Sequence, residues 1–149
     1  MELEGLDETA LEALAARLAS RLEPGDVVVL AGEVGAGKTT FVRAAARSLG
    51  VEGRVTSPTY QIARGYEGET NGRAVTVNHL DLYRLEGLED RDALEIDHYL
   101  DPGAITFVEW ADPALGLMES PTVVRISHQT PTTRRVSVAG PAAERPGGC

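Results

Sequence analysis

Gly32-Glu33-Val34-Gly35-Ala36-Gly37-Lys38-Thr39 sets glycines, a lysine and a hydroxyl at the spacing G-x-x-x-x-G-K-[ST], the Walker A pattern. Glycines let a backbone curl around phosphate oxygens and turn its N–H groups inward, in dihedrals that side chains obstruct. The lysine brings a compact charge to the β- and γ-phosphates, and the hydroxyl offers magnesium a hard oxygen ligand. Lys38 is the only lysine among 14 lysine and arginine residues. A point-charge ammonium fits a cradle of amides where a planar guanidinium, with its donors in a fixed fork, does not. The exception to an arginine-rich composition therefore falls where substitution is least tolerable.

Magnesium also calls for an acid, directly or through water, and acids at the C-terminal ends of strands are well placed for that work. Asp81 and Glu109 meet the condition. Glu109 ends the apolar run 105–108 in a Walker B-like arrangement and is the preferred metal partner. Asp81 is expected to orient the attacking water or to reach the metal through one. His79 precedes Asp81 on the same expected strand face and reads as a hydrogen-bonded structural histidine, without a catalytic assignment. His98 and His128 lack ligand spacing, which argues against a transition-metal site.

These residues need a strand before the loop and a helix after it. Residues 27–30 form a short, β-branched apolar run, as in a strand buried on both faces of a parallel sheet. Residues 38–49 are alanine-rich and end at Gly50, which suits a helix with a glycine cap. Upstream, Leu11, Leu14, Ala15, Leu18 and Leu22 recur at helical spacing, with Asp7 or Thr9 as N-cap and Pro24-Gly25 as a stop. Downstream, 56–60 reads as an active-site loop opening a β-hairpin whose turn lies near Gly68 and Gly72. Residues 74–82 alternate as a strand, with Val75, Val77, His79 and Asp81 on one side. An acidic helix is expected over 88–100, a buried strand over 105–108, and a closing antiparallel pair at 123–126 and 135–138. The fold class that follows is α/β: a single P-loop NTPase domain over 1–140, with a mixed central sheet flanked by helices, and a flexible tail over 141–149.

The bulk composition agrees. At 149 residues, with 42% hydrophobic and 25% charged residues, the chain has the mixture of a globular domain able to bury a core. A net charge of −9 repels nucleic-acid backbones, so protein partners and small ligands are expected instead of direct nucleic-acid binding. The single cysteine, Cys149, permits no internal disulfide, and no apolar run approaches the length of a membrane span. Both point to the cytoplasm.

With these residues identified, the chain resembles the TsaE family, also called YjeE, the ATPase component of bacterial tRNA threonylcarbamoyladenosine biosynthesis. The resemblance rests on Gly-Glu-Val-Gly-Ala-Gly-Lys-Thr-Thr at 32–40, Thr-Ser-Pro-Thr-Tyr at 56–60, His-Leu-Asp-Leu-Tyr-Arg at 79–84 and Glu-Trp at 109–110, in that order. It implies ATP bound at Gly35, Ala36, Gly37, Lys38, Thr39 and Thr40, magnesium (Mg2+) at Thr39 and Glu109, and an essential carboxylate at Asp81. It also implies a switch loop at 57–59 near the γ-phosphate, Trp110 beside the site, and Arg134 approaching the nucleotide from the last hairpin. The implied partner is a TsaD-TsaB transferase complex, which modifies adenosine 37 of tRNAs reading codons that begin with A. The ATPase would support turnover and meet tRNA only through that complex. Tyr60 stands where the family often has phenylalanine, and the residues after Gly140 follow no family pattern. A Ras-type GTPase is disfavoured because guanine recognition there uses Asn-Lys-x-Asp and the sole lysine is committed to phosphates. The competing readings are a small-molecule P-loop kinase and a nucleotide switch without significant hydrolysis.

Overall fold

In the computed structural model, residues 1–33, 35–53, 63–83 and 90–145 are described. Strand β1 is Glu2–Leu6, and Asp7 then caps helix α1, Glu8–Ala19, by accepting a hydrogen bond from the Ala10 amide at 2.8 Å. Strand β2, Val27–Ala31, leads through the glycine-rich loop into α2, Lys38–Ser48, which is followed by its C-cap Leu49 and then by Gly50 with φ of 79°. The hairpin β3, Ala63–Thr70, and β4, Arg73–Asp81, turns at Asn71 and Gly72, both with positive φ. Helix α3, Asp90–Tyr99, precedes β5, Ala104–Glu109, and a 3₁₀ turn at Asp112–Leu117. The chain closes with β6, Thr122–Thr130, β7, Thr133–Ala139, and a short helix α4, Pro141–Glu144.

The seven strands form one sheet in the order β1-β7-β6-β2-β5-β4-β3. Its centre, β6-β2-β5-β4, is parallel, and antiparallel pairs complete both sides, so the expected mixed α/β sheet is what the chain builds. Alternation along the strands divides the core in two. Val28, Leu30, Val77, Ile105 and Phe107 pack on the face covered by α1 and α2. Val29, Leu80, Leu82 and Val108 pack on the opposite face with Ile96 of α3 and Ala114 of the 3₁₀ turn. Asn78 Nδ2 and Thr106 Oγ1 both donate to the Tyr99 carbonyl at 3.0 Å, tying the end of α3 to the sheet.

Three expectations need adjustment. Gly68 lies inside β3 instead of in the turn, and a Cβ there would come within 2.6 Å of the Leu49 carbonyl oxygen, so close backbone approach is what requires glycine. β1 adds a strand that the acidic, mostly exposed pattern of its residues does not announce; it is recruited by pairing with β7. The ordered body also runs past Gly140: Ala142 is fully buried, the Ala142 amide bonds Thr122 Oγ1 at 3.0 Å, and Arg145 pairs with Asp26 through both terminal nitrogens. The tail boundary therefore moves from 140 to at least 145. The active-site loop at 56–60, Arg84, the first part of the 88–100 helix and Cys149 lie outside the described residues.

Candidate functional site

The sheet brings the chemical residues together by register. β4 and β5 run in parallel, with His79 opposite Phe107 and Asp81 opposite Glu109. Because Val77 and Phe107 face α2, strand alternation turns His79, Asp81 and Glu109 to the same side, at the C-terminal ends of the strands. The start of α2 lies over them. Its N-cap is Gly37, which has no side chain to cap the first turn, so the positive helix end faces the space that the loop encloses. Ile126 of β6 fixes the near end of the loop, since a Cβ on Gly32 would fall under 3.0 Å from the Ile126 carbonyl oxygen.

Between loop and strand ends lies a cavity of about 420 Å³, within the range of small-ligand pockets. Gly35, Gly37, Lys38, Thr39 and Thr40 form one wall, and Asp81, Glu109, Tyr83 and Trp110 the other. Lys38 is 5% exposed, and its Nζ donates to the Gly32 carbonyl at 2.6 Å while lying 3.5 Å from the centroid of the Trp110 ring. Trp110 holds φ at 57°, an uncommon backbone for a bulky residue, and its ring meets Tyr83 at 4.9 Å. Thr39 Oγ1 lies 3.3 Å from each carboxylate oxygen of Glu109. Glu109 is buried, and its Oε2 lies 2.6 Å from His79 Nε2.

Burial pushes the Lys38 ammonium below its usual pKa, against the pull of the Glu109 and Asp81 carboxylates. Burial likewise raises the Asp81 carboxyl, with Glu109 adding to the effect; the Tyr83 amide, bonded to Asp81 Oδ1 at 3.1 Å, His79 and Lys38 oppose it. Both charges are thus held at a cost that an anionic ligand with its own cation would relieve. Among the described residues no group of three or more His, Cys, Asp or Glu side chains is placed to hold a metal ion by itself. A hydroxyl and one carboxylate form a hard-oxygen set, which fits a magnesium ion that keeps several waters and takes its remaining ligands from phosphates.

Two of the residues expected to contact nucleotide are not among those lining the cavity. The Ala36 side chain is fully buried within the loop. For Arg134, Nε donates to the Ala36 carbonyl at 2.9 Å and Nη1 to Thr133 O at 3.1 Å, so β7 braces the loop from outside the pocket. Conversely, the tilted packing of Tyr83 against Trp110 in one wall and the His79–Glu109 bond emerge only in three dimensions. The signal in the sequence was an aromatic residue just beyond each acid-ended strand.

The family model described as threonylcarbamoyl adenosine biosynthesis protein TsaE matches residues 6–136. The chain belongs to the TsaE family. Among its relatives, the tRNA threonylcarbamoyladenosine biosynthesis protein TsaE of Streptomyces coelicolor is 45% identical over 100 residues, covering 66% of each chain. The Bacillus subtilis TsaE protein is 38% identical over 100 residues, 67% of this chain and 60% of the relative. The chain thus spans 66% and 60% of the lengths of these two TsaE relatives. The crystal structure of Bacillus subtilis YdiB superposes with a TM-score of 0.72 at 26% identity, covering 94% of this chain and 84% of that one. The likeness therefore extends well beyond the glycine-rich loop. Among the described residues no helix is long and apolar enough to cross a membrane.

Proposed function

We propose that this TsaE-family protein binds magnesium ATP in the cavity and hydrolyses it in support of threonylcarbamoyladenosine formation on tRNA. The observation that carries the reading is the Thr39 hydroxyl 3.3 Å from the buried Glu109 carboxylate, in the same pocket as Lys38 and the start of α2. Thr39 Oγ1 and Glu109 Oε1 would hold magnesium, which when bound neutralises charge on the β- and γ-phosphate oxygens. Lys38 gives up the Gly32 carbonyl to bond phosphate oxygens, and the loop amides with the α2 terminus hold the remainder. Asp81, beside Glu109 at the strand ends, orients the attacking water toward the γ-phosphorus. Arg134 keeps the loop in shape through Ala36.

The partner we infer is a TsaD-TsaB-like transferase complex in the cytoplasm, with tRNA met through that complex. The relatives' names tie them to this modification, and the acidic charge of −9 suits contact with protein rather than RNA. Hydrolysis by the isolated protein is expected to be slow and to change when a partner surface orders the site. Timed analysis of nucleotide products, with and without the transferase complex and tRNA, tests the proposal. Phosphate release stimulated by the complex, with modification sustained over several cycles, supports it. Intact ATP under all conditions refutes hydrolysis, and a phosphorylated acceptor would assign a kinase instead.

A further inference from the structure

His79 is 1% exposed, and its position cannot be explained by apolar packing alone. Its Nε2 lies 2.6 Å from Glu109 Oε2, whereas its buried Nδ1 has no partner among the described residues. A carboxylate oxygen only accepts from a ring N–H, so a neutral ring carries its proton on Nε2 and leaves the Nδ1 lone pair orphaned. The opposite tautomer would set a lone pair against a carboxylate and bury an N–H with no acceptor.

Glu109 has three competing attractions: Thr39 Oγ1, His79 Nε2 and the Lys38 ammonium, whose charge reaches it across the pocket. A glutamate carries enough rotatable bonds to swing, and closure onto Lys38 would occupy both the phosphate lysine and the metal acid. No direct ion pair joins Lys38 and Glu109 among the described residues; the short contact of Glu109 is with His79. We propose that His79 is a positioning residue: by donating Nε2–H to Oε2 it fixes the Glu109 carboxylate so that Oε1 is held beside the Thr39 hydroxyl, where the two oxygens can share a divalent cation. The strand register makes this selective. His79 and Glu109 stand diagonally on adjacent parallel strands, so a two-residue offset brings an imidazole, and no shorter donor, to the carboxylate. The role rests on the magnesium-nucleotide reading above and adds that metal affinity, separately from nucleotide affinity, depends on His79.

The test compares the full chain with His79→Leu and His79→Gln by calorimetric titration of a non-hydrolysable ATP analogue, first in EDTA and then across a magnesium series. Removing an outer partner of a metal ligand weakens metal affinity about 10–100-fold. His79→Leu should therefore raise the magnesium midpoint by about that factor, leaving binding in EDTA within about threefold of the parent. His79→Gln, which presents an amide N–H at similar reach, should recover most of the loss. A folded His79→Leu protein with the parent's magnesium midpoint overturns the proposal, as does a Gln variant no better than Leu. Nitrogen-15 NMR of the unmodified protein supplies a check that needs no variant: the Nε2–H tautomer is expected, and an Nδ1–H tautomer overturns the proposal. If the unmodified chain binds the analogue without regard to magnesium, the parent reading fails as well; an unshifted magnesium dependence in His79→Leu removes only His79.

Discussion

Gly32→Ala isolates what the start of the loop contributes. The backbone there has φ of +147°, and a Cβ would intrude on the Ile126 carbonyl of β6 at under 3.0 Å. β6 cannot retreat freely, because it is hydrogen-bonded between β2 and β7. Holding an L-residue in such a conformation costs about 1–3 kcal/mol. Overpacking against fixed backbone costs a further 1–3 kcal/mol or so. The expected loss of about 2–6 kcal/mol is a large part of the roughly 5–15 kcal/mol that stabilises a typical domain. Gly35→Ala is the control within the same loop: its φ is +80°, but nothing lies within 4 Å of the added carbon, so only about 1–2 kcal/mol of conformational cost applies. Urea unfolding of the three proteins without nucleotide measures the difference. Because the Gly32 carbonyl also holds Lys38, the Gly32 variant should lose affinity for a non-hydrolysable ATP analogue as well. A Gly32→Ala protein as stable as Gly35→Ala would refute the argument that the β6 carbonyl limits the loop.

The other predictions concern the charged groups and the indole. Lys38→Ala should weaken magnesium ATP binding at least about tenfold, as expected for lost charge-assisted hydrogen bonds, and unchanged affinity by calorimetry would contradict the phosphate role. Asp81→Asn should slow hydrolysis by about 100-fold or more while changing ATP affinity little, and normal turnover would remove Asp81 from the mechanism. The same variant has a pH signature. Burial raises the Asp81 carboxyl above its ordinary 3.8, so the folded chain holds that proton more tightly than the unfolded one. This contribution to stability is fullest below 3.8 and disappears as pH rises through the raised folded value. Asp81→Asn should flatten that segment of the Tm–pH curve in EDTA and raise Tm at about pH 7, and a parallel curve would show that burial does not penalise the carboxylate. Trp110 is the single tryptophan and carries the Lys38 ammonium on its ring, so saturating ATP should change its emission; an unaltered spectrum would mean that Lys38 does not move.

Local patterns suffice for the strand-loop-helix unit, because the glycine spacing, the run ending at Ala31 and the alanine-rich stretch after Lys38 each carry their own signal. The alternation of Val75, Val77, His79 and Asp81 also announces β4 and the face on which its acid lies. What escapes depends on partners far along the chain. β1 has a mostly exposed acidic pattern and becomes a strand only because β7 offers an edge. His79 and Glu109 are 30 residues apart and meet through the β4–β5 register, which no local period encodes. The 2.9 Å bond from Arg134 to the Ala36 carbonyl likewise depends on the placement of β7 in the sheet order.

The resting place of Lys38 bears on how rapidly the pocket can cycle. With one carbonyl and one indole already stripping water from the ammonium, the phosphate of the proposed ligand would substitute for neighbours instead of dehydrating a solvated side chain. Departure is eased in the same way, since the lysine has a seat to reclaim as the product leaves. A pocket arranged like this would favour exchange in both directions, as the proposed cycle of binding and hydrolysis requires.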